Sequence, residues 1–195
     1  MSRSALGRVP AAGGRLLSAL GARGTTLVGV VGFAAALALA AQVALPVPGS
    51  PVPITLQPML VVLAGLWLGP TAAAASMALY LIAGAAGLPV FSPFGAPGLA
   101  RLLGPTGGYL LAYPLAAWLT GRLGAGAPSY ARRALSASAG MCVLYVGGLA
   151  QLTLITGSVA QAAILGAIPF AVLDVVKAHV AALLVAPPRR ERPTS

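Results

Sequence analysis

Asp174 and Lys177, in the sequence Asp174-Val-Val-Lys177, are the residues of this chain best suited to chemistry. Lys177 is its only lysine, and Asp174 is its only acidic residue apart from Glu191. The two are three residues apart within the apolar segment 168–186, so on a helix they share one face. Inside a membrane such charges cost about 2.5–3.5 kcal/mol each and usually face an interior or cavity. We expect a substrate site here; the alternative is an ion pair that only fixes helix packing.

The composition is that of an integral membrane protein. Of 195 residues, 58% are apolar and 7% are charged, whereas an ordinary soluble domain is roughly 25% charged. At about 20 residues per span, the length allows five to seven helices and no separate soluble domain. The net charge of +10 does not indicate nucleic-acid binding, because the arginines lie between apolar segments rather than on a soluble face.

The other reactive residues are too few for the common kinds of enzyme site. A P-loop is excluded because Lys177 is followed by Ala178, and a single membrane carboxylate argues against a magnesium site. His179 is the sole candidate base for a serine hydrolase, and no Gly-x-Ser-x-Gly motif occurs. Cys142 is expected to be a small core residue. We therefore predict no enzyme activity and no metal or other cofactor.

The predicted fold is an all-α membrane domain over 26–186, between an Arg-rich N-tail (1–25) and a C-tail (187–195). Loops rich in proline, glycine or arginine separate its apolar segments. A short interfacial helix is predicted over 161–166, and Pro169 is expected in the first turn of the last span. The six predicted spans are 26–45, 55–68, 72–87, 107–123, 134–156 and 168–186.

The stretch 88–105, between spans three and four, is apolar but cannot form one regular helix because it contains four prolines and three glycines. Irregular backbone near a membrane is tolerated where it is buried by protein or lines a cavity. We interpret it as an extracytoplasmic cap over the site. With six spans, ten arginines fall on one side and Arg101 alone on the other, which predicts cytoplasmic termini. Arg101 is thus a second site candidate; the alternative is a loop arginine at the headgroups.

Together, Lys177 and Arg101 with Asp174 as a single counter-charge would suit a small, largely apolar anion. The first span adds small residues at a four-residue spacing, Ala34 and Ala38, which permit close approach of another helix.

Five stretches, in this order along the chain, resemble the BioY family, the biotin-binding S components of energy-coupling factor (ECF) transporters. They are Pro51–Gln57 (PVPITLQ), Leu63–Pro70 (LAGLWLGP), Tyr80–Phe91 (YLIAGAAGLPVF), Gly104–Tyr109 (GPTGGY) and Asp174–Lys177 (DVVK). The resemblance implies six helices, a biotin site near the outer side, and a cap between spans three and four. The segment 92–97 departs from it, since it carries prolines where a glycine-rich stretch is expected.

The resemblance also implies residue roles and partners. Lys177, Asp174 and Arg101 would meet the valerate carboxylate of biotin, and the rest of the site would be lined by Gln57, Tyr80 and Tyr109. On the cytoplasmic side, a membrane coupling (T) protein, docked at Ala34 and Ala38, and paired ABC-type ATPases would be partners. Membrane lipid would surround the helices.

We therefore predict a subunit that captures biotin outside and delivers it to the cytoplasm. The alternatives are a transporter of another small apolar carboxylate or vitamin, such as lipoate, and a non-transporting structural subunit of a membrane complex. Whether the protein works alone, as a homo-oligomer, or only with ATPases stays open.

Overall fold

The computed structural model describes residues 12–185, and within this range the chain is helical apart from loops and one isolated β-bridge. The all-α prediction is confirmed. The predicted C-tail and residues 1–11 of the predicted N-tail lie outside the described residues. In chain order the helices are α1 (Ala12–Gln42), α2 (Gln57–Leu68), α3 (Pro70–Ala85), α4 (Leu99–Leu103), α5 (Gly107–Gly124), α6 (Tyr130–Thr156), α7 (Val159–Gly166) and α8 (Ala171–Leu184).

Proline and glycine set several helix ends. The loop after α1 is held by two backbone hydrogen bonds of 2.9 Å between Leu45 and Ile54. Gly69, with a φ of 79°, forms the turn between α2 and α3, a conformation that glycine adopts without steric cost. Since α8 begins at Ala171, Pro169 precedes that helix rather than lying in its first turn. Pro169 lies in a separate turn, in which the backbone amides of Phe170 and Ala171 both donate to the Ala167 carbonyl.

Helix α2 lies at the centre of the bundle. It contacts α1, α3, α5, α6 and α8, and Val61, Val62 and Ala64 on it are fully buried. Around it, the outer helix faces carry large exposed apolar side chains such as Leu39, Leu154 and Val172. So much exposed apolar surface indicates contact with lipid, and the protein is membrane-embedded.

Two helical stretches of the described chain are long and apolar enough to span a membrane on their own, Arg23–Gln42 and Tyr130–Thr156. Helices α7 and α8 meet the same test only as one span bent by 56°, and α2 and α3 are shorter apolar helices. The count of six spans is therefore not confirmed and stays a prediction.

Residues 86–106, which we call the cap segment, connect α3 to α5. The segment is irregular except for α4, a five-residue helix. The side-chain amide of Gln42 donates to the Pro89 carbonyl at 3.3 Å and to the Phe91 carbonyl at 3.1 Å. From α6, the amide of Gln151 donates to two carbonyls near the other end of the segment. Side chains of two long helices thus anchor the cap segment at both ends.

Candidate functional site

One cavity is lined by all six residues that the sequence predicted for substrate binding: Gln57, Tyr80, Arg101, Tyr109, Asp174 and Lys177. They come from α2, α3, the cap segment, α5 and α8. Residues separated by as much as 120 positions therefore converge at one place. Phe91 and Phe170 add apolar wall to the same cavity.

Asp174 and Lys177 form an ion pair in the structure, with 2.8 Å between Lys177 Nζ and Asp174 Oδ1. Their side chains are 11% and 12% exposed, respectively. Asp174 lies in the first turn of α8, where the helix dipole favours a negative charge. Its second oxygen, Oδ2, accepts a 2.7 Å hydrogen bond from the Tyr145 hydroxyl of α6. Asp174 takes one of three ammonium donors of Lys177, so the others can serve a ligand.

Arg101 lies at the cap end of the cavity and is 6% exposed. Its guanidinium group donates to the carbonyl of Phe94 and, at 2.5 Å, to the carbonyl of Ser92. Its Nε is buried and has no hydrogen-bond partner among the described residues. Burial lowers the pKa of Arg101 from its usual value. A buried donor without a partner is energetically costly.

Gln57 and Tyr80 form a polar part of the wall of the same cavity. The Gln57 amide donates to the Tyr80 hydroxyl at 2.8 Å, and that hydroxyl donates to the carbonyl of Val90 at 3.1 Å. Thr55 donates to the amide oxygen of Gln57 at 3.3 Å. The wall is therefore linked to the cap segment through Val90.

Tyr109 is held by both its hydroxyl and its ring. The hydroxyl donates to the Gly166 carbonyl at 2.6 Å. The ring lies over Gly148, where an added Cβ would come within 2.1 Å of it. Its hydroxyl is thus committed within the protein, which leaves the ring as its main contribution to the cavity.

Tyr145 and Thr55 also line the cavity, and the sequence interpretation missed both. A tyrosine in an apolar helix is itself a signal, because a buried phenol hydroxyl usually has a hydrogen-bond partner. That signal shows neither the partner nor the helix face.

The two alanines predicted to dock a partner lie away from this cavity. Ala34 is 7% exposed and packs within the chain's own core, while Ala38 is half-buried against it. The docking role stays a prediction, and Ala34 offers little surface to a partner.

His179 and Cys142 also lie outside the cavity lining. His179 is exposed on α8, with Nδ1 2.8 Å from the Val175 carbonyl oxygen. Cys142 is exposed on α6, so its expected position in the core is wrong. In a membrane protein both core and lipid-facing surfaces are apolar, and a small apolar residue can occupy either.

Comparison with known proteins gives consistent results. A family model described as the BioY family matches residues 16–194. The probable biotin transporter BioY of Pyrococcus horikoshii is 42% identical over 152 residues, which cover 78% of this chain and 88% of the relative. The biotin transporter BioY of Thermotoga maritima is 36% identical with the same coverage.

A solved structure has the same fold. It is the crystal structure of the S-component for biotin from an ECF-type ABC transporter, with a TM-score of 0.75 and 23% identity. The match covers 84% of this chain and 89% of the solved one. With the family model spanning most of its length, the chain belongs to the BioY family.

Proposed function

We propose that this protein is the substrate-binding subunit (S component) of a biotin uptake system, which captures biotin outside the cell and delivers it to the cytoplasm unchanged. One observation carries the proposal: the Asp174–Lys177 pair and Arg101 line the same largely buried cavity. These two cations and one anion leave an excess positive charge, which favours an anionic ligand. The names of the relatives supply the ligand's identity.

In this proposal the two ends of the cavity cooperate on the ligand's carboxylate. The free donors of the Lys177 ammonium and the guanidinium of Arg101, which lines the same cavity, would serve an anionic oxygen through charge-assisted hydrogen bonds. Asp174 orients the ammonium. Gln57, Tyr80 and Tyr109 line the remainder, where an amide and hydroxyl can meet the N–H and C=O groups of a ureido ring.

Transport in this proposal needs partners. The membrane domain crosses the bilayer six times with both termini in the cytoplasm, and the cap segment faces outside. A coupling (T) protein and paired ABC-type ATPases supply the energy, since the sequence has no P-loop.

A titration of the purified protein with biotin, biotin amide and lipoate tests the proposal. We expect saturable biotin binding in the nanomolar to micromolar range, with weaker binding of the amide because it lacks the negative charge. Stronger binding of lipoate than of biotin would identify lipoate, rather than biotin, as the substrate. The absence of saturable binding by any of the three would favour the structural-subunit alternative.

The docking proposal is tested by uptake. We expect Ala38→Leu to leave biotin binding intact and to reduce uptake in cells that supply the coupling partners, because bulk there blocks close helix approach. Ala35→Leu, on the exposed side of the same helix, is the matched control. Ala34→Leu is unsuitable, since Ala34 is buried and extra volume there would disturb the core. Wild-type uptake by Ala38→Leu would count against this face.

A further inference from the structure

The hydrogen bond from Tyr145 to Asp174 ties the ion pair of α8 to a different helix. Asp174 and Lys177 lie one turn apart on α8, so their bond alone leaves both side chains free to turn together. Tyr145, 29 residues earlier on α6, occupies the other carboxylate oxygen at 2.7 Å. With both oxygens engaged from different directions, the carboxylate has a single orientation, which also fixes the direction of the Lys177 ammonium.

Tyr145 is itself supported from behind. Its ring makes an edge contact with the Tyr109 ring, with centroids 6.4 Å apart. Tyr109 in turn is held by Gly166 and lies over Gly148. A fixed ring brings a fixed hydroxyl, so the bond to Asp174 starts from a rigid donor.

The same hydrogen bond also lies at a boundary. Tyr145 and Asp174 line the substrate cavity and also a second groove between α6 and α8, together with Met141, Cys142 and Ala178. Cys142 in that groove is exposed. Loss of the bond would therefore let the carboxylate turn from the cavity towards the outer groove and draw Lys177 with it.

We propose that Tyr145 is a positioning residue of the substrate site: through its hydroxyl it holds Asp174 so that Lys177 presents its remaining donors to the ligand's carboxylate. This inference rests on the proposed function. It concerns discrimination between charged and uncharged ligands, whereas a purely structural Tyr145 would affect both kinds of ligand alike.

The test compares biotin and biotin amide in Tyr145→Phe, which removes the hydroxyl and keeps the ring. Loss of a hydrogen bond to a charged group predicts roughly tenfold weaker biotin binding, with amide binding changed by less than about twofold. Tyr130→Phe is the matched control, since Tyr130 is exposed and lies outside the cavity lining. Equal weakening of both ligands in Tyr145→Phe, or no weakening, overturns the inference.

A second variant tests the route through Asp174. In Asp174→Ala no acceptor is left for the Tyr145 hydroxyl, so adding Tyr145→Phe should change the biotin-to-amide ratio no further; independent, additive effects would contradict positioning. The two proposals fail differently. If wild-type protein does not bind biotin, the proposed function and the inference both fail; if it does and Tyr145→Phe keeps the wild-type ratio, the inference fails alone.

Discussion

The two ends of the cavity hold their cations by different means. At the α8 end, Lys177 is paired with a carboxylate on the same helix, and a tyrosine from α6 completes the arrangement. At the cap end, Arg101 is surrounded by main-chain carbonyls of an irregular loop. The α8 end is therefore nearly neutral and built on regular helices. The cap end keeps its positive charge and depends on the conformation of the loop.

In the proposed function, this difference would give the two ends separate tasks. A carbonyl can solvate a guanidinium but cannot neutralise it, so the excess charge that attracts an anion resides mainly at Arg101. The ion pair on α8 contributes direction rather than net charge. Each end can be altered separately, and the expected effects differ in size and kind.

The largest effect is expected at the α8 end. Either single change, Asp174→Ala or Lys177→Ala, leaves a largely buried charge without its partner and should lower the free energy of unfolding by about 3–5 kcal/mol. The double change removes both charges, so we expect recovered stability together with strongly reduced biotin affinity, each 1.4 kcal/mol lost corresponding to about tenfold. Thermal unfolding in detergent and a biotin titration measure the two quantities.

Comparing the two single variants with the double variant distinguishes a substrate site from the alternative, an ion pair that only fixes helix packing. An ion pair that only fixes packing predicts that the double variant folds and binds biotin like wild type. That result would contradict the assignment of the α8 end to substrate binding. Lys177→Ala should cost more biotin affinity than Asp174→Ala, because the ammonium pairs directly with the anion.

An intermediate effect is expected at the cap end. Arg101→Ala removes the charge and the two bonds to the loop carbonyls, so biotin should bind more weakly by about 1.5–3 kcal/mol, the worth of a hydrogen bond to a charged group. The affinity for biotin amide should fall by less. Isothermal titration with both ligands measures the ratio.

Arg101→Lys separates the effect of the charge from the effect of the loop contacts. Lysine keeps the charge but lacks the planar fork that reaches two carbonyls at once. We expect this variant to bind both biotin and biotin amide more weakly while preserving much of the ratio of the two affinities. If Arg101→Ala weakens both ligands equally, the arginine is structural and the anion is held at α8 alone.

The difference between the ends also explains how much the sequence could predict. A helix fixes the spacing of its side chains, so the three-residue spacing of Asp174 and Lys177 is enough to predict their shared face. Arg101 could be singled out by its isolation on one side of the predicted membrane. Its carbonyl partners could not be predicted, because irregular backbone has no periodicity from which to infer contacts.

Two other residues show the limit of charge counting and periodicity. Arg133 is one of the ten arginines that the sequence places on the cytoplasmic side, yet it is 6% exposed and donates to the carbonyls of Ala182 and Ala127 at 3.0 Å. Tyr145 faces the site from a helix that is apolar on several sides. When both core and surroundings are apolar, hydrophobic periodicity no longer shows which face of a helix is buried.

The smallest effect is expected from a change that alters no charge. Gly95 in the cap segment has a φ of +107°, and an added Cβ would lie 2.7 Å from Arg101 Nη1. Gly95→Ala therefore strains the backbone by about 1–3 kcal/mol and displaces the guanidinium. We expect biotin affinity to fall by about threefold to tenfold, with a smaller loss for biotin amide.

A matched control separates the effect of backbone strain alone from an effect on the binding site. Gly126, in the loop between α5 and α6, also has a positive φ, +69°, but no atom lies near its added Cβ. Gly126→Ala should lower stability by about 1 kcal/mol without changing biotin affinity. If Gly95→Ala binds both ligands like wild type although it is destabilised as Gly126→Ala is, the cap end does not depend on loop conformation. The two ends would then differ in the partners of their cations but not in what keeps those cations in position, because Arg101 would keep its position without this loop conformation.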